Sequence, residues 1–220
     1  MNAVVQFLIL LVVLSAAAFL LLLARAPFWL ILLVIVAVYM AVTTLPTFYT
    51  VYKSQNVRAI DRFLLRNYRK PIFYYAYNVG HGSDEDIQKS LRTIMEKSTR
   101  GDTRHVYGAL LGVTRGDGEE VLSAAAKINP GPLRSYYYAY GNALNGNLDK
   151  ARSIADGISD EWMKHTIYAV LAKQQGNTEE FRREAGLAKE TSTGIQHYLL
   201  HHNFQKMEDQ VGQSKNAQEG

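Results

Sequence analysis

The chain has 220 residues, 24 basic and 20 acidic side chains, a net charge of +4, and no cysteine. The missing cysteines exclude a disulfide framework and any cysteine-ligated zinc or redox centre. Charge is unevenly distributed: residues 1–52 hold only Arg25, residues 53–70 hold six basic side chains against Asp61 alone, and residues 71–220 hold 17 basic against 19 acidic. The positive excess therefore belongs to one short segment, and the slightly acidic remainder argues against general nucleic-acid binding.

Val4–Ala24 is an apolar run interrupted only by Gln6 and Ser15. At ~1.5 Å per residue such a run spans a hydrocarbon core of about 30 Å. A second run starts at Phe28 and reaches Val42 or Leu45. One helix over both would be nearly twice the bilayer thickness, so Arg25-Ala26-Pro27 reads as a tight turn between antiparallel spans. Residues 1–52 are thus expected to form a two-helix transmembrane hairpin, with spans at about 4–24 and 28–45. Phe28 and Trp29 at one face, and Phe48, Tyr49 and Tyr52 at the other, occupy the places of interfacial aromatic belts. Ala24-Arg25-Ala26 has the small-x-small form of a signal-peptide cleavage site. The lack of a basic residue before the run, the run's length and Pro27 directly after the cut all count against cleavage. The basic segment after the second span places both termini in the cytoplasm by the positive-inside rule.

Residues 53–70 form the basic juxtamembrane segment, and 57–69 project onto an amphipathic helix. Val57, Ile60, Phe63, Leu64, Leu65 and Tyr68 fall on one side. Arg58, Arg62, Arg66 and Arg69 fall within an arc of roughly 80°. This stripe suits anionic lipid headgroups, at about 1 kcal/mol per basic residue near the surface. It equally suits the solvated face of the first helix of the following domain.

From Pro71 the pattern is helix, glycine turn, helix. Gly116-Asp117, Gly146-Asn147 and Gly176-Asn177 recur at intervals of 30 residues. Val121, Ala151 and Phe181 follow in register, then Ala125, Ala155 and Ala185; Tyr107, Tyr137 and Ile167 precede, then Ala109, Ala139 and Ala169. One apolar pattern kept in phase over three copies predicts an array of helical hairpins. The predicted pairs are 104–114 with 119–128, 133–144 with 149–158, and 161–174 with 178–189. Pro71, Ser83 or Asp84, and Leu91, Ile94 and Met95 mark a degenerate first copy. Thr178 is the expected cap of the last second helix. Ile195–Met207 is a final unpaired helix that would cap the exposed end, closing a domain over 71–207, and 208–220 reads as a disordered tail.

Tyr140-Gly141-Asn142-Ala143-Leu144, the small Ala151 and the closing Asn129-Pro130 resemble the tetratricopeptide-repeat superfamily over roughly residues 72–190. The period here is 30 residues rather than about 34. The resemblance implies an all-α solenoid that presents a groove to a protein or peptide. Tyr137, Tyr140 and Leu144 share the helix face expected to enter the stack. Tyr138, Asn142 and Asn145, with Tyr168, are the candidate groove residues, since tyrosine and asparagine offer a rigid apolar face and hydrogen bonds. A tyrosine-rich core with hydroxyls at its rim is the competing reading.

No arrangement of residues suggests catalysis or a cofactor. His197 and His201 share a helix face, but no glutamate follows His197 and no carboxylate completes a metal ligand set. The expectation is therefore a non-enzymatic, membrane-anchored cytoplasmic adaptor or scaffold. The alternative is an accessory subunit of a membrane transport or secretion complex, in which the hairpin packs on other spans.

Overall fold

A computed structural model describes Val12, Ser15, Ala16 and residues 27–98 and 101–216. The regular elements among these residues are all helices, without a strand, and the chain divides into two compact units, Met1–Lys53 and Ser54–Gly220. The chain is therefore all-α over its described length.

The first unit contains α1, Phe28–Tyr52, the one helix among the described residues long and apolar enough to cross a membrane. Its 25 residues rise about 38 Å at 1.5 Å each. The apolar run from Phe28 to Leu45 lies within this helix, which continues through Pro46 to Tyr52; Thr50 Oγ1 donates to the Pro46 carbonyl at 2.8 Å. Apart from Val12, Ser15 and Ala16, the expected first span and most of its turn lie outside the described residues.

The second unit opens with α2 (Val57–Asn67), capped by Asn56, whose side chain accepts from the Ala59 N–H. Ile60 and Leu64 are buried, as the amphipathic pattern requires. Leu65 and Tyr68, expected on the buried side, are instead 52% and 49% exposed. Val57, Ile60, Phe63 and Leu64 meet the neighbouring helices; Leu65 lies one position past that stripe and turns outward, and Tyr68 follows the last helical residue. In α3 (Pro71–His81), proline occupies the first turn, where its missing N–H costs nothing. Next comes α4 (Asp84–Lys97), opened by a capping box in which Ser83 and Asp86 satisfy each other's backbone N–H groups.

Three hairpins follow: α5 (Gly101–Arg115) with α6 (Gly118–Ala125), α7 (Pro132–Leu144) with α8 (Leu148–Asp156), and α9 (Glu161–Gln174) with α10 (Thr178–Thr191). Their turns close identically. Gly116, Gly146 and Gly176 sit at φ 69°, 78° and 71°. The N–H of Asp117, Asn147 and Asn177 reaches back five residues to the carbonyl of Gly112, Asn142 and Ala172, each at 2.9 Å. The glycine N–H reaches back three residues in each case. This is the Schellman closure, which needs a left-handed residue and therefore favours glycine. The side chains in register are buried alike: Ala109, Ala139 and Ala169 are fully enclosed, as are Val121 and Ala151, with Phe181 nearly so. The cap of α10 is Asn177, not Thr178: Asn177 Oδ1 accepts from the Glu180 N–H at 3.1 Å. Thr178 begins the helix, and its buried Oγ1 has no partner.

The last helix, α11 (Gly194–Asn216), corrects two expectations. It continues well past Met207, so 208–216 are helical rather than disordered. Polar contacts hold this extension, with Arg182 donating to Glu208 at 2.6 Å and Lys173 to Gln210 at 2.8 Å. Nor does it simply cover the end of the array: it packs on α10 and also on α2 and α3. Tyr198 Oη donates to Asp61, the Gly194 N–H to the Ser54 carbonyl at 2.7 Å, and Gln55 Nε2 to the Glu190 and Ser192 carbonyls at 2.9 Å. The two ends of the helical array are thereby tied together through α11.

Candidate functional site

Closure by α11 leaves a cavity of about 800 Å³ inside the unit, within the range of small-molecule pockets. Its wall comes from the first helix of each pair. Tyr75 comes from α3, Tyr107 and Val113 from α5, Tyr136, Tyr137 and Tyr140 from α7, and Trp162 and Thr166 from α9. The opposite wall is α11, with Gln196, Leu199, Asn203 and Met207 at helical spacing along one face. The exposed Asn129–Leu133 segment and Asp160 form its rim.

The rings brace one another. Tyr75 meets Tyr107 edge-on at 6.1 Å, Tyr136 meets Tyr137 at 5.0 Å, and Tyr136 lies 5.6 Å from Trp162. Such edge-to-face pairs add stabilisation beyond area burial and leave the hydroxyls to find their own partners. Burial pushes the phenols of Tyr75, Tyr136, Tyr137 and Tyr140 well above the ordinary tyrosine range. They are neutral donors at physiological pH. Among the described residues no lysine, arginine or histidine lines the cavity, and the carboxylates that do are Asp102 and Asp160. Asp102 is already engaged, accepting from the Asn129 N–H at 2.8 Å and from Asn129 Nδ2 at 2.9 Å. The cavity can bind through apolar contact and neutral hydrogen bonds; no nucleophile–base pair is brought together in it.

The four sequence-based groove candidates are elsewhere. Asn142, expected at the surface, is 1% exposed, and this is a correction. Its position faces the turn of its own hairpin: a Cβ on the equivalent Gly112 would come within 2.8 Å of the Val121 nitrogen. Asn142 Nδ2 donates to the Tyr138 carbonyl at 2.7 Å, while its Oδ1 is left unpartnered. Tyr138 is half-buried with Arg134 stacked 5.5 Å over its ring. Tyr168 is half-buried against α8: its hydroxyl donates to Asp156, and Arg152 sits 5.8 Å over its ring. Burial first, and then Asp156, push its phenol up to about 12. Asn145 is exposed and donates to Glu119 at 2.7 Å, joining the end of α7 to the start of α6. Tyr137 and Tyr140 are buried as expected, yet they, with Tyr136, are the ones that reach the cavity. Sequence reasoning missed Tyr107, Trp162 and the whole α11 wall. The stripe Gln196, Leu199, Asn203 and Met207 was the available signal.

The remaining candidates are distributed on the surface and at the closure. Arg58, Arg62, Arg66 and Arg69 are exposed. His197 Nδ1 donates to the Lys189 carbonyl at 2.8 Å, bracing α11 on α10. His202 packs on the Tyr198 ring at 4.5 Å, and burial, with the neighbouring His201 and His81, takes its pKa down to about 4. Among the described residues no group of three histidine or carboxylate side chains is placed to hold a metal. No family model, curated protein or solved structure matches the chain.

Proposed function

We propose that the chain is a membrane-anchored adaptor, built on a two-span hairpin and a tetratricopeptide-like helical array, that binds a segment of a protein partner. The observation that carries this reading is the cavity of about 800 Å³, lined by tyrosines from three successive helical pairs. An aromatic wall with neutral hydroxyl donors suits an apolar peptide segment, whose side chains fill the space and whose carbonyls accept hydrogen bonds. The exposed apolar α1 and the basic residues after it support anchoring with the array on the cytoplasmic side. The three Schellman turns at a constant 30-residue interval support a repeat origin for the array.

Photo-crosslinking in cells tests the proposal. A benzophenone amino acid placed at Leu133 or Tyr107, on the cavity wall, is expected to yield a protein adduct. The same probe at the exposed Lys150 is not. Adducts from Met40 on α1 with none from Leu133 or Tyr107 contradict it. They would favour the second reading, an accessory subunit of a membrane complex, which rests on the exposed apolar side chains of α1.

A further inference from the structure

Beyond Lys53, the large apolar side chains that remain exposed among the described residues are Leu65, Tyr68, Ile72, Tyr74 and Leu133. Leu133 belongs to the cavity rim. The other four fall within ten residues of one another, where α2 ends and α3 begins, and are 40–52% exposed. Isolated exposed apolar residues are ordinary on a protein surface, but a cluster with a common setting is not.

The setting here is cationic. Arg58, Arg62 and Arg66 on α2, and Arg69 and Lys70 in the turn that joins it to α3, are all exposed. Among the described residues none of the five forms an ion pair. The one carboxylate within the segment, Asp61, is taken by His81 at 2.6 Å and by Tyr198. Apolar and basic groups are also interleaved: Tyr68, Arg69, Tyr74 and Lys97 line one shallow depression where α2, α3 and α4 meet. Long basic side chains reaching to either side of apolar and aromatic anchors are the composition of a surface that lies in a bilayer interface. Only Lys53–Asn56 separate this segment from α1.

We infer that the face formed by Leu65, Tyr68, Ile72 and Tyr74, flanked by Arg62, Arg66 and Arg69, docks on the anionic leaflet of the membrane that holds α1. The apolar side chains enter the headgroup boundary and the guanidinium groups bind lipid phosphates. Docking fixes the orientation of the array relative to the membrane instead of leaving it to swing on a four-residue link. The inference rests on α1 being a membrane span but not on what the cavity binds.

The absence of cysteine makes the test direct, because one introduced thiol carries one label. The full chain is reconstituted in nanodiscs of phosphatidylglycerol, with a nitroxide at Ile72→Cys or Leu65→Cys. Relaxation by oxygen, which partitions into lipid, is compared with relaxation by a water-soluble nickel chelate. Controls carry the label at Met40→Cys in α1 and at the exposed Lys150→Cys. Expected is preferential oxygen access at 65 and 72, a water-like signal at 150, and loss of the oxygen preference in phosphatidylcholine. Replacing Arg62, Arg66 and Arg69 by Gln should lower the docked-to-free ratio roughly 100-fold, since each basic residue near an anionic surface contributes about fivefold. A lipid signal at 40 with a water signal at 65 and 72 overturns the docking and leaves the span intact. A water signal at 40 as well overturns both. Strong immobilisation at 72 without oxygen preference would show a protein covering the face, and also refutes the inference.

Discussion

Tyr198 on the last helix donates its hydroxyl to Asp61 on α2 across 2.9 Å, although 137 residues separate them. Beside this bond, Gly80 on α3 leaves room for the Tyr198 ring, since a Cβ there would come within 3.1 Å of the ring carbon that bears the hydroxyl. The contact locks α11 across the array, and the cavity exists only because α11 lies there.

Two ionisations at this lock set its response to acid. Burial works upward on Asp61, but the hydrogen bonds from His81 and Tyr198 outweigh it, so its pKa lies below 3.8. A depressed carboxylate contributes stability above its unfolded pKa that is lost as pH falls through its folded one. His202, held down to about 4, acts earlier. Unfolded, it binds a proton near 6.5 that the folded chain refuses, so stability falls from about pH 6.5 towards 4. Urea melts at stepped pH should show this decline, and His202→Gln should flatten it. Tyr198→Phe should cost about 1.5–3 kcal/mol at pH 7, the range for a hydrogen bond to a charged group. An unchanged midpoint would show that the bond does not hold α11.

Backbone conformation supplies a sharper contrast. Gly146 sits at φ 78°, whereas Gly157 sits at φ −84° with only ordinary contact distances around a potential Cβ. Gly146→Ala should destabilise by about 1–2 kcal/mol, the cost of a left-handed alanine. Gly157→Ala should stabilise by about 0.4–1 kcal/mol by restricting the unfolded chain. Equal effects on thermal denaturation would contradict the assigned turns.

In α7, Tyr140→Ala should cost about 3–5 kcal/mol, as large buried aromatic deletions do. Asn142→Ala should raise stability by about 1 kcal/mol. It removes a buried acceptor without a partner and introduces the residue found at the equivalent position, Ala172. Denaturant midpoints of the two variants check both signs, and a large loss at Asn142 would mean its Oδ1 is satisfied in solution.

The hairpins were legible because a fixed period carries both the apolar register and the glycine turns. Phe181 falls where Val121 and Ala151 fall, and no long-range information is needed to see it. The site was less legible. Helical phase distinguishes Tyr138 from Tyr140, but only the position of α11 decides which of the two faces a cavity. That position depends on pairings such as Tyr198 with Asp61, between segments at opposite ends of the array. Likewise, Leu65 and Tyr68 look like core residues on a helical projection. Their exposure follows from how little of α2 its neighbours cover.

Topology is checked with introduced thiols in the cysteine-free chain. Ala26→Cys should react with a membrane-impermeant reagent from outside intact cells, and Gln205→Cys should react only after permeabilisation. The reverse pattern would place the helical array outside.

The most direct test of the account fills the cavity without disturbing the array. Thr103→Trp on α5 and Asn203→Trp on α11 introduce bulk from opposite walls at half-exposed positions. The full chain is recovered in mild detergent, its melting temperature is measured, and crosslinking from Leu133 is repeated in each variant. An unchanged melting temperature and loss of the Leu133 adduct are expected in both. A folded variant whose adduct forms as efficiently as in the parent chain would contradict binding in this cavity.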